Sequence, residues 1–231
     1  MVKLSKSSVW GRVIRQDEIP ELGKSDLVLI RDAILADKTE EALQLLDYVG
    51  GVGKRAILSM TIFRDAAVSR IAELAGEDEL ERIYRERYTD AVKSLVVGSP
   101  SARDLLERFV EGFRGLYSGI SVTEEPEKYI MKLDPCGSGG VLRRKNQAHI
   151  SKVAHPWTWN KSGVSLYCAH CCLLHEIIPI ELRGYPICVT EYPKNTNDPC
   201  IHLYYKSPES IPDEYFTRVG KTPWHLKSTD R

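Results

Sequence analysis

The chain has 231 residues, 42% hydrophobic and 28% charged, which is enough apolar material for one large domain or two small ones. Lys plus Arg and Asp plus Glu number 32 each, so formal net charge is zero and no global field draws the chain to nucleic acid or an anionic membrane. No apolar run reaches the ~18 residues of a membrane span, and the start, MVKLSKSSVW, is not signal-like; a cytoplasmic, thiol-reducing setting is expected.

Residues 1–24 read as an N-terminal arm and 25–119 as a helical region. SDLVLIRDAILA opens on Ser25 or Asp26 as N-cap, and DKTEEALQLLDYV on Asp37 or Thr39, with Leu43, Leu46 and Val49 along one stripe. KRAILSMTIFRDAAVSRIAELAG stops at Gly76, and EDELERIYRERYTDAVKSLVVG at Gly98. Pro100 and Ser101 then start SARDLLERFVEGFRGLY. Between the second and third of these helices, GGVGK (Gly50–Lys54) resembles a phosphate loop only superficially. Tyr48 stands where its first glycine belongs, and Arg55 where its Ser or Thr belongs.

Residues 120–231 read as an α+β region. EKYIMKLD, YPICVTEYP and CIHLYYK have strand character, and KNTND makes a loop between the last two. This region holds all six cysteines, all six histidines and three of the four tryptophans. The expected fold is therefore α+β: N-terminal helices followed by an antiparallel sheet with a Cys/His-rich helix. Any chemistry belongs to the second half.

The densest stretch is YCAHCCLLHE, Tyr167–Glu176. On a helix, Cys168, Cys171, Cys172 and His175 fall at i, i+3, i+4 and i+7, one face. Thiolate and imidazole ligands suit zinc, and Cys168 and Cys171 form a CxxC pair. No second CxxC follows, so a remaining ligand has to come from Cys136, Cys200 or a histidine such as His149, His155 or His170. The competing readings are a buried helix, since Cys is among the most buried residue types, and a reactive thiol. Cys188, alternating within YPICVTEY, reads as core. His175 and Glu176 do not begin an HExxH motif, because Pro179 occupies the second histidine's place.

DPCGSGG, Asp134–Gly140, lets backbone approach a ligand closely. Cys136 there is a candidate ligand, a candidate nucleophile with His149 or His155 as base, or part of a plain turn. Arg143 and Arg144 suit a carboxylate or phosphate, and Trp157 and Trp159 supply flat apolar walls. A solvated basic turn beside half-buried tryptophans is the alternative.

Val189, Glu191, Asp198 and Cys200, with Cys168 or Cys171 upstream, make a pattern that resembles two related families. These are the small-molecule-binding domains of the 4-vinyl reductase type and the L-2-amino-thiazoline-4-carboxylic acid hydrolase family, with the resemblance covering about residues 120–205. It implies an α+β domain with a ligand cavity between antiparallel sheet and helices, and either ligand sensing or hydrolysis of a small heterocyclic carboxylate. CGSGG and the doubled cysteine at 171–172 lie outside that pattern.

Together these readings predict a zinc-binding enzyme that acts on a small anionic molecule by hydrolysis or lyase chemistry. His170 or His175 would move protons and Arg143 or Arg144 would hold the anion. The rivals are a binding module with a closed structural zinc site and a metal-free cysteine hydrolase built on Cys136. Self-association is left open.

Overall fold

The computed structural model describes residues 3–227, and the chain divides into two compact units, Met1–Ala56 and Ile57–Arg231. In the first, strands β1 (Leu4–Lys6) and β2 (Val13–Arg15) pair antiparallel, so the expected arm is a hairpin. Arg15 fixes its exit by pairing with Asp17 and Asp26 at 2.6 Å each, Asp26 being the first residue of α1 (Asp26–Leu35).

Helix α2 (Thr39–Ala75) runs through the boundary between the units. The sequence predicts two helices with a break at GGVGK; the structure has one. Each glycine costs a helix only about 1 kcal/mol relative to Ala, and no proline or capping residue enforces a stop. GGVGK is therefore helix, which also disposes of the phosphate loop.

The second unit continues with α3 (Glu77–Val96) and α4 (Ala102–Gly115). Helix α4 begins in a capping box: Ser101 accepts from the Asp104 N–H, and Asp104 accepts from that of Ser101. Four strands follow: β3 (Ile120–Glu124), β4 (Lys128–Leu133), β5 (Val189–Glu191) and β6 (Cys200–Tyr205). They form one antiparallel sheet in the order β3-β4-β6-β5, so the α+β expectation holds. β3, mostly exposed, gave little hydrophobic alternation to read.

Three short helices lie in the Cys/His region: α5 (Gly139–Arg144), α6 (His170–Cys172) and α7 (Ile178–Arg183), while α8 (Glu214–Thr217) comes near the end. A π-helical turn, Leu173–Ile177, joins α6 to α7. Its cause is visible in the sequence. Pro179 has no N–H to give the His175 carbonyl four residues back. That carbonyl instead accepts from the Ile187 N–H at 2.8 Å. One core joins Leu80 and Val92 of α3, Leu105 and Leu106 of α4, Met131 and Tyr204 of the sheet, and Ile177 and Ile178. Among the described residues no helix is long and apolar enough to cross a membrane.

Candidate metal centre and cavity

A cavity of about 510 Å³ opens in the second unit, walled by α4, the 136–140 turn, the 167–175 segment and the ends of β5 and β6. Phe109, Phe113, Leu95, Leu116 and Leu174 give it an apolar lining, and Trp159 closes one side. Four of the six cysteines reach it: Cys136, Cys168, Cys171 and Cys200. So do His170, His175 and His202. All six thiols are free.

Sheet register explains part of this convergence. Cys200 pairs with Leu133 at the end of β4, so Cys136, three residues beyond, leaves the sheet at the edge where Cys200 enters it. His202 lies two residues on and faces the same side as Cys200, with its Nε2 3.4 Å from the Cys200 sulfur. Small residues do the rest. A Cβ on Gly139 would stand 2.3 Å from the Cys168 Sγ, and one on Gly140 would stand 3.0 Å from the Cys136 Cβ. CGSGG is therefore the place where two cysteine-bearing segments meet closely.

Ligand atoms of His175, Cys188 and His202 lie within 4.8 Å of one another, and all three residues are buried. This group could hold a metal ion. Thr190 Oγ1 meets His175 Nδ1 at 3.0 Å, and the Cys188 Sγ lies 3.7 Å from His202 Nδ1. Burial pushes both histidines down, His175 well below its usual value and His202 to about 3, so both rings are neutral and able to bind a metal. Burial raises the Cys188 thiol, so a metal would have to displace its proton.

A buried ion pair backs this wall. Glu176 accepts from the Trp159 indole at 2.7 Å, the Thr190 N–H at 2.9 Å and Arg218 at 2.9 Å. Burial still raises the Glu176 carboxyl above its ordinary range, against the pull of Arg218. The network fixes Trp159, the π-turn and Thr190, and Thr190 in turn orients His175.

The remaining sequence candidates divide. His170 lines the cavity with its ring stacked on Tyr88 at 5.6 Å. Its Nδ1 meets the Tyr167 carbonyl, which can only accept, so Nδ1 carries the hydrogen and Nε2 is left as a base 3.6 Å from the Cys171 sulfur. Arg143 also lines the cavity, over the Tyr192 ring at 5.4 Å. Trp159 is stacked on Tyr192 at 5.3 Å.

Four expectations are corrected. Cys172 is fully buried and does not line the cavity, its thiol lying 3.6 Å from the Pro156 carbonyl; only His170–Cys172 form α6, so Cys168 is not on the continuous helix that the one-face reading assumed. Trp157 is fully buried beside Tyr84 and His155 as core. Arg144 ties Asp134 to the Asn197 carbonyl and does not reach the cavity. His149 and His155, the proposed bases for Cys136, are held by Asp65 at 2.5 Å and Glu77 at 2.6 Å, and neither lines the cavity.

Two residues were missed. Cys188 read as core, and its burial bears that out, but its thiol also meets His202, whose register partner Thr190 lies two residues on from Cys188. His202 had a usable signal, the i, i+2 alternation with Cys200 along one strand. Compared with protein-family models, curated proteins and solved structures, the chain matches none, so its function rests on the geometry above.

Proposed function

We propose that this chain is a metal-dependent enzyme, with zinc held by His175, Cys188 and His202 and a small anionic substrate bound in the adjoining cavity. One observation carries the reading: a three-ligand group is fully buried, yet two of its members form part of the cavity wall. Three protein ligands leave a tetrahedral ion one position for substrate, the arrangement of catalytic rather than structural zinc. A bound ion there supplies Lewis-acid polarisation of a substrate oxygen, suited to hydrolysis or lyase chemistry. Arg143, with Arg108 at the rim beside Glu111, supplies positive charge for a carboxylate or phosphate. The apolar lining excludes water, and the Nε2 of His170 accepts a proton within the cavity. Six free thiols fit a reducing, cytoplasmic setting.

The test is metal content followed by cobalt substitution. Protein purified without added metal should carry about one zinc at this group, lost in His175→Ala and in Cys188→Ser. The cobalt form should change its visible spectrum when azide is added, because the fourth position is open. Zinc retained in both variants would remove the metal assignment. A cobalt spectrum indifferent to azide would make the site structural, and the chain a binding module.

A further inference from the structure

We propose that Cys136, Cys168, Cys171 and Cys200 hold a [4Fe–4S] cluster, a second metal centre separate from the His175–Cys188–His202 group. These four thiols line one cavity, whereas Cys172 and Cys188 do not. They arrive from the turn after β4, the segment before α6, α6 itself and the start of β6, so folding alone assembles them.

The spacing argues against a single ion. Thiolates on one tetrahedral zinc, with bonds of about 2.3 Å, sit roughly 3.8 Å apart. Among the described residues no three of these four sulfurs come within 4.8 Å of one another. All four nonetheless line the same cavity. A four-iron, four-sulfide cube takes one thiolate at each iron and so spreads its cysteines wider than a lone ion does.

Charge and shape agree with this. An oxidised cluster with four thiolates is a dianion, and Arg143 lines the cavity that the four thiols share. Its Nε is buried without a hydrogen-bond partner. Cys168 and Cys171 form a CxxC pair, and Cys136 and Cys200 supply the other two of the four thiolates that such a cluster takes. Gly139 keeps a side chain out of the space beside the Cys168 sulfur. Transfer of a preformed core from a thiolate complex balances without redox. Four Fe–S bonds to the donor's thiolates break and four form to the protein. The four protons leave the cysteines for the released thiolates.

The experiment incubates the full chain anaerobically with a synthetic [Fe4S4(SR)4]²⁻ thiolate complex, then desalts it. About four iron and four acid-labile sulfide should remain per chain, with a broad visible charge-transfer band. Cys136→Ser, Cys168→Ser, Cys171→Ser or Cys200→Ser should each lower retained iron several-fold, while Cys172→Ser and Cys188→Ser keep it. Cys188→Ser removes only the mononuclear site, so the two readings fail separately. Should the serine variants not fold, alkylation mapping of the unsubstituted chain decides. Loading must protect Cys136, Cys168, Cys171 and Cys200 together. Failure of the unsubstituted chain to retain iron and sulfide would overturn the proposal, as would zinc bound by these four thiols in preference to the cluster. Unchanged alkylation on loading would do the same.

Discussion

The glycines of the long helix and those of the 119–140 segment have opposite surroundings. A Cβ added at Gly50 in α2 would meet nothing within 4 Å. One at Gly137 would stand 1.8 Å from the Leu116 carbonyl oxygen, and one at Gly119 would stand 2.3 Å from that of Asp134. Charges divide the same way. Arg82 on α3 pairs with Glu79 and Glu86 in solvent, whereas Arg218 meets a Glu176 that is fully buried. The helices tolerate local imperfection because their stability is spread along an amphipathic stripe. The Cys/His region is over-determined: its small residues leave no room for a Cβ, and its buried charge is held by several partners at once.

Substitutions can break or sharpen that contrast. Arg218→Leu should have the largest effect, about 3–5 kcal/mol in urea denaturation, because Glu176 is left as an unpaired buried carboxyl. Adding Glu176→Gln should return part of the loss, while Arg82→Ala leaves the urea midpoint within error. Gly137→Ala should cost about 2–3 kcal/mol, since the Leu116 backbone has to move. Ser101→Ala should cost about 1 kcal/mol through the lost cap of α4. Gly50→Ala should reverse the sign and stabilise by roughly 0.5–1 kcal/mol; a loss there would mean that this stretch of α2 is as constrained as the site.

The smallest effect concerns Glu181. Burial would raise its carboxyl, but Lys221 at 2.6 Å and Arg85 at 2.8 Å hold it below the usual range. A depressed carboxyl stabilises the fold above its unfolded value and loses that contribution as pH falls through the folded one. Glu181→Gln should therefore lower stability slightly at neutral pH, with the difference vanishing as pH falls below about 4, so that the acid limb is shallower. An identical acid limb in both proteins would show that the pair is only a surface contact.

Fold class was legible because the helical stripes and the alternation of CIHLYYK are local signals. The continuous α2 was not, since three glycines in five residues read as a break until the lack of any stop signal is weighed. At the site, CxxC and CGSGG marked the neighbourhood correctly, and Cys136, Cys168, Cys171 and Cys200 do share a cavity. Side-chain direction could not be read. Cys172 is buried against the Pro156 carbonyl instead of lining the cavity, and the meeting of His175, Cys188 and His202 depends on strand pairing across 14 residues. Arg143 and Arg144 are adjacent in sequence, and only the first faces the cavity.

Pro179 gives the molecule a built-in reporter. Because the His175 carbonyl is bonded to the Ile187 amide, that amide is the direct covalent neighbour of Cys188 and the hydrogen-bonded neighbour of His175 at once. Its solvent exchange requires the two segments to part. Exchange at Ile187 therefore measures how often the wall behind the cavity opens, and occupancy of the His175–Cys188–His202 group should slow it more than that of amides on the outer face of α2.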